Sequence, residues 1–117
     1  MTLREPTFLI LTALAAQPRH GYGIIKDVET ISAGRVVLRA GTLYTALDRL
    51  CGDGWVDIDH EEVVDGRLRR YYRLSDTGAA ELAAETDRIN AIAAAATERL
   101  RQRRTLATGT FAIGGIA

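Results

Sequence analysis

The chemistry this chain offers is concentrated between Gly41 and Ser75, in the run GTLYTALDRLCGDGW, an acidic stretch, and then DGRLRRYYRLS. The side chains there that can act on a ligand are hydroxyls and guanidiniums. Thr42, Tyr44, Thr45 and Arg49 stand in the first piece; Arg67, Arg69 and Arg70 stand in the last. A guanidinium is a planar fork of donors that matches phosphate oxygens and the guanine edge. A hydroxyl adds a hydrogen bond to either. These groups bind; they do not break bonds. The succession of helix, strand, tight turn and arginine-bearing return strand describes a helix able to lie in a DNA groove with a basic hairpin beside it.

Residues suited to catalysis or metal binding are scattered. Asp57, Asp59, Glu61 and Glu62 lie on one strand without partners for general acid–base work, and read as hairpin charge balance. No glycine loop follows a strand in the pattern that cradles phosphate. His20 fits the turn before the second helix and His60 the solvent side of a strand, and two isolated histidines make no metal site. Cys51 is the one cysteine, so an internal disulfide is excluded. Helical spacing points Arg49 to a different side from Cys51, so it does little to lower that thiol's pKa. No enzyme activity, cofactor or metal is expected.

The elements that must position these residues follow from periodicity. Glu5 to Ala16 reads as a helix with Pro6 in its first turn, apolar nearly all round and so buried on more than one side, with a partner subunit to cover the remainder. Pro18 and Gly21 mark a break. Tyr22 to Ser32 is a second helix with Ile24, Ile25, Val28 and Ile31 on one side, closed by Ala33 and Gly34. The Val-Val-Leu run before Arg39 suits a small strand. The third helix, Gly41 to Gly52, has Leu43, Ala46, Leu47 and Leu50 on one face and Thr42, Thr45, Asp48 and Arg49 on the other, with Tyr44 at the flank.

Trp55 to Val64 and Leu68 to Leu74 form an antiparallel hairpin around Asp65-Gly66. Two rules conflict there. A two-residue turn puts Ile58 opposite Arg73, whereas matching the apolar faces puts Ile58 opposite Leu74. Burial governs register more strongly, so a three-residue loop including Arg67 is expected. It sets Glu62 opposite Arg70 and Asp59 opposite Arg73, leaving Arg67 and Arg69 with no acid directly opposite. Ser75 suits the N-cap of a long helix from Asp76 to about Arg103. Its heptad-like seam of Leu82, Thr86, Ile89, Ile92 or Ala93, Ala96 and Leu100 reads as a dimerisation face.

These residues carry a resemblance. LTALAAQPRHGYGII (Leu11 to Ile25), GTLYTALDRL (Gly41 to Leu50) and GRLRRYYRLSDTGAAEL (Gly66 to Leu82) resemble, in order and spacing, the PadR family of bacterial transcriptional regulators. The resemblance implies an α+β, mostly helical winged helix-turn-helix fold. Residues 1–75 would form the DNA-binding domain, 76–104 a C-terminal dimerisation helix, and 105–117 a flexible or partner-packed tail. It also implies a homodimer on operator DNA with inverted symmetry, with repression relieved in many members by a small molecule. Two departures from the family stand at Arg39-Ala40, where a capping serine is frequent, and at Thr45, often proline.

The expected DNA-binding set is Thr42, Tyr44, Thr45, Arg49, Arg67, Arg69 and Arg70, with Arg49 foremost for a bidentate guanine contact. The expected intersubunit set is Phe8, Leu11, Leu82, Ile89, Ile92, Ala93, Ala96 and Leu100. Asp48 could repel phosphate, accept from cytosine or steer an arginine. Arg69 and Arg70 equally suit neutralising Glu61 and Glu62. With 15 basic and 15 acidic residues the formal charge is zero, so DNA binding must come from local placement. Neutrality and Asp48 keep a second reading open, a winged-helix protein-interaction or ligand-sequestering module without DNA binding. A small hydrophobic or aromatic effector is the optional further partner. No apolar run spans a bilayer and no signal peptide opens the chain, so a cytoplasmic location is expected.

Overall fold

The computed structural model describes residues 3–116, with side chains described through residue 108. The elements are α1 (Glu5–Leu14), β1 (Arg19–His20), α2 (Gly21–Ile31), α3 (Ala40–Gly52), β2 (Val56–Val64), β3 (Arg67–Leu74) and α4 (Asp76–Ile116). The chain divides into two units, Met1–Glu85 and Thr86–Ala117.

The core of the first unit is built where apolar spacing meets. Ile10, Leu11 and Leu14 of α1, Ile24 and Val28 of α2, Leu43, Leu47 and Leu50 of α3, Val56 of β2 and Tyr72 of β3 form one buried cluster. α1 is enclosed almost all round by its own subunit. Leu11 has no exposed surface, so its expected place at an intersubunit contact is corrected. Leu82 packs half-buried against the same cluster, so it too serves the first unit. The first turns of α4 also close over the N-terminus, where the carboxylate of buried Glu85 accepts the Leu3 N–H at 3.1 Å.

The sheet is antiparallel, in the order β1-β3-β2. Two of its features depart from expectation. β1, only two residues long, pairs Arg19 with Tyr72 and His20 with Tyr71 inside what the sequence presents as a plain break. The Val-Val-Leu run is no strand; Leu38 is drawn into the core while Val37 stays out. The turn conflict is settled by a bulge. Asp65 and Gly66 both take left-handed φ, 53° and 76°, and Val64 pairs with Arg67, as a two-residue type I′ turn requires. Asp59 is then the extra residue on β2, and beyond it Ile58 faces Tyr72 and Val56 faces Leu74. Turn chemistry and core burial are both satisfied, at the cost of one ladder position. The expected three-residue loop, and the pairings it set for Glu62 and Asp59, are corrected: Arg70 faces Glu61, Arg69 faces Glu62 and Arg73 faces Asp57.

Helix ends explain the joints. α3 closes with Trp55 N–H donating to Leu50 O at 3.0 Å and Gly54 N–H to Cys51 O at 3.1 Å, with Gly54 at φ 78°. This is a Schellman turn, and it brings Trp55 against the core cluster. α2 closes the same way, from Gly34 N–H to Glu29 O and from Ala33 N–H to Thr30 O, but with Ala33 in the left-handed position at φ 54°. Ser75 caps α4, accepting the Gly78 N–H at 3.0 Å and donating to Gly54 O at 2.6 Å. α4 continues past the expected end at Arg103. The expected tail, 105–117, is helical in backbone as far as Ile116, and its side chains beyond residue 108 lie outside the described residues.

Gly78 sits against the backbone of Trp55, where a Cβ would overlap the carbonyl. Gly78→Ala is expected to destabilise the protein by about 3 kcal/mol, because the obstruction is backbone and cannot step aside. Ala33→Gly is expected to stabilise it by about 0.5–1 kcal/mol, by relieving a left-handed alanine. Urea titration of both variants measures the two signs together.

Candidate nucleic-acid interface

α3 presents three kinds of surface. Leu43, Leu47 and Leu50 face inward. Thr45 and Asp48 lie on the side turned furthest from them, and both are exposed. On the flanks, Thr42 and Arg49 lean toward α1, while Tyr44 leans toward α2 and the hairpin. Each flank borders a cleft.

The first cleft, about 600 Å³, lies between α1 and α3 and is bordered by Arg4, Thr7, Ile10, Leu38, Thr42 and Arg49. Arg49 is not idle there. Its Nη2 donates to Thr7 Oγ1 at 3.1 Å, tying α3 to α1. Thr7 is buried, and among the described residues this bond is the partner its hydroxyl has.

The second cleft is also about 600 Å³ and is polar. It gathers His20, Tyr22, Tyr44, Arg67, Arg69 and Arg70 from β1, α2, α3 and the hairpin. It opens at the N-terminus of α2, where His20 occupies the cap position without a side-chain cap hydrogen bond. An uncapped helix start turns free N–H groups and the positive end of the dipole outward, which favours an anion. Gly21 lets Tyr44 lie directly on that start: a Cβ would meet the phenol oxygen. The His20 pKa is lowered, first by burial and then by the Arg69 charge, with Glu62 opposing.

The structure sorts the hairpin arginines by work. Arg70 pairs with Glu61 at 3.5 Å and Arg73 with Asp57 at 3.7 Å, both exposed and so screened by solvent. Arg67 and Arg69 enter no ion pair or side-chain hydrogen bond among the described residues, although Glu62 lies across from Arg69. His60 stacks on Tyr71 with ring centres 4.4 Å apart and its Nδ1 lies 2.5 Å from Asp59 Oδ2, which holds the bulge. Cys51 has its thiol pKa raised by burial and by Asp48 and Asp57, which makes it a poor nucleophile.

Thr42, Tyr44, Thr45, Arg67, Arg69 and Arg70 thus stand around one helix and its flanking clefts, while Arg49 is turned toward α1. Sequence reasoning began the second helix at Tyr22 but gave that helix start no part in the site, and it read His20 as a turn residue only. A two-residue strand has no periodicity to detect, so nothing in the sequence announced that β1 would carry His20 to the hairpin. Arg19 was missed as well. Its Nε donates to Ala13 O at 2.8 Å, and its guanidinium pairs with Asp27 at 3.6 Å. Of the expected intersubunit residues, Phe8 is half-buried. Ile89, Ile92, Ala93, Ala96 and Leu100 are all exposed on the second unit. Among the described residues no helix is long and apolar enough to cross a membrane.

Three helices, a small sheet and a protruding two-stranded hairpin, with an exposed helix between two polar-rimmed clefts, define a winged helix-turn-helix protein. The family model described as the transcriptional regulator PadR-like family matches residues 10–84, more than half of the chain. The chain belongs to the PadR-like family of transcriptional regulators, which are not enzymes. An uncharacterized protein of Lysinibacillus sphaericus is 28% identical over 74 residues, 63% of this chain and 68% of that protein. A PadR family transcription regulator of Clostridium difficile is similar in structure, with a TM-score of 0.66 at 24% identity over 80% of this chain and 96% of that one. Bacillus subtilis PadR, solved in complex with operator DNA, gives a TM-score of 0.62 at 21% identity over 69% of this chain and 47% of that longer chain.

Gly21→Ala separates the site from the scaffold. The Tyr44 ring tip is free to move, so stability is expected to fall by less than about 1 kcal/mol. The Tyr44 ring resonances should nonetheless shift strongly by NMR. An unmoved ring would mean that Gly21 does not seat it.

Proposed function

We propose that this chain is a sequence-specific DNA-binding repressor that acts as a homodimer. The observation that carries the reading is the pair of unengaged arginines, Arg67 and Arg69, beside the open start of α2 and next to the exposed face of α3. That arrangement puts anion-binding groups on the hairpin and at a helix start, with hydrogen-bonding side chains between them. α3 enters the major groove with Thr42 and Thr45 at base edges. Tyr44, Arg67, Arg69 and Arg70 hold phosphates or a narrow minor groove. Arg49 reaches a guanine by leaving Thr7. Leaving the Thr7 hydroxyl without that partner costs about 1–3 kcal/mol, which the roughly 1–3 kcal/mol of a bidentate guanine contact has to offset.

The dimer rests on the exposed stripe of Ile89, Ile92, Ala93, Ala96 and Leu100, which a second copy of the same helix would cover. Pairing must hold the two copies of α3 about one duplex turn, roughly 34 Å, apart. A small hydrophobic or aromatic effector would act most directly in the cleft between α1 and α3, against Ile10 and Leu38, where it competes with Thr42 and Arg49 for access.

The test is binding to DNA from the chain's own promoter region across a salt series. With roughly six phosphate contacts, affinity should fall about a thousandfold between about 50 and about 200 mM salt. Arg67→Gln and Arg69→Gln should each reduce the salt slope by about one. Salt-insensitive binding, or variants indistinguishable from wild type, would return the chain to the interaction-module reading.

His20 adds a pH test. Burial and Arg69 hold its free-state pKa below the ordinary histidine value. A phosphate neutralises the Arg69 field and raises that pKa, so binding takes up a proton. Affinity therefore rises as pH falls through the window between the two values, by less than about tenfold per pH unit for one proton. His20→Gln should flatten the profile.

A further inference from the structure

We infer that the tip of the hairpin is an apolar wedge for the minor groove of duplex DNA, formed by Val63 and Leu68 packing on deoxyribose between the hairpin arginines. The inference rests on the DNA-binding reading above and adds a pair of residues that carries no charge and no hydrogen bond.

Val63 and Leu68 are direct cross-strand partners, one pair back from the turn. They are 71% and 63% exposed. The pairing puts them on the same face of the hairpin as Val56, Tyr72 and Leu74. Those three pack on the core; the tip pair lies outside the core cluster. The Glu61–Arg70 ion pair interrupts that face, and Val63 and Leu68 make it apolar again at the tip, beyond the body that would give it a reason to be so, with Arg67 and Arg69 on the opposite face. Strand propensity accounts for Val63, but leucine is not among the residues that strands favour on an exposed face.

Three occupants could cover such a pair. A second copy is disfavoured by size, because two aliphatic side chains fall well short of the roughly 1,200 Å² that a stable interface buries. It is also disfavoured by charge, because Arg67 and Arg69 would meet their own kind. An apolar protein surface leaves those guanidiniums without partners. The minor groove answers both features. Its walls are the apolar faces of sugars about 6 Å apart, and its edges are phosphates. A narrow groove concentrates negative potential and draws in arginine. Proteins that enter it also insert aliphatic side chains. The left-handed two-residue turn keeps the tip slim, with only Asp65 and Gly66 beyond Arg67 and Val64.

The experiment compares the full-length protein with the double variant Val63→Thr, Leu68→Thr, measured by fluorescence anisotropy on promoter duplex over a salt series. Threonine keeps β propensity, and an unchanged far-UV spectrum and melting curve would confirm that the hairpin persists. The expected result is an affinity loss of about tenfold at every salt concentration, as partial burial of two aliphatic side chains is worth. The salt slope should stay the same, and binding-site selection should lose its A·T preference at the base pairs under the tip. Val63→Ile should retain wild-type affinity. Wild-type binding that the double variant leaves unchanged overturns the wedge and spares the regulator reading. Wild-type protein that binds no DNA sinks both. Weakened self-association of the double variant in sedimentation, with DNA affinity intact, assigns the tip to a contact between copies and also overturns the wedge.

Discussion

The fold turns on one junction. The carbonyl of Trp55 accepts the Ser75 N–H at 3.0 Å, the Ser75 hydroxyl spans from Gly54 O to Gly78 N–H, and Gly78 has no side chain so that its backbone can lie against Trp55. Within these few residues α3 ends, β2 begins, β3 ends and α4 starts. Gly54 lets the chain reverse out of α3 and brings Trp55 against the core cluster. α3 and the hairpin share this joint, so the angle between them is set by backbone hydrogen bonds. Neither element has to find its orientation against a ligand, which is the preorganisation that keeps binding from being spent on ordering.

The electrostatics follow from allocation. A chain of zero formal charge cannot attract a polyanion by its total field. Several arginines are instead consumed by the scaffold: Arg19 on Ala13 and Asp27, Arg70 on Glu61, and Arg73 on Asp57. These pairs cancel locally and leave no net pull. Arg67 and Arg69 remain, set beside the uncapped start of α2. The acidic run of β2 acts as a filter, pairing with Arg70 and Arg73 and leaving Arg67 and Arg69 toward the turn. Arg49 stands between the two groups, since it bonds to Thr7 of α1 while lying on an exposed flank of α3.

α1 and α4 divide the apolar surface differently from what their composition suggests. α1 is apolar nearly all round because its own unit surrounds it, with Leu11 at the centre and no need of a second copy. α4 gives Leu82 and Glu85 to that unit, then continues with Ile89, Ile92 and Leu100 uncovered. The unmet apolar surface lies on α4 rather than α1, and an interface between copies has to be sought on that helix.

Periodicity alone determined the three core helices, the hairpin, the Ser75 cap and the leucine face of α3, because each is a local pattern with its own energetic reason. The charged and hydroxyl residues of the candidate interface were legible by the same logic, as whatever faced away from Leu43, Leu47 and Leu50. What tertiary structure decided was everything that depends on distance in the chain. β1 is two residues paired across the sheet with Tyr71 and Tyr72, so it has no signature of its own. The Asp59 bulge exists because turn preference and core burial demanded different registers and one inserted residue met both. Arg49 could be placed on a face of α3, but the buried hydroxyl that claims it sits 42 positions earlier. Local sequence carries backbone propensity and the side of each element that avoids water. Which donor meets which acceptor is settled only when distant elements pack and a buried polar group must find a partner.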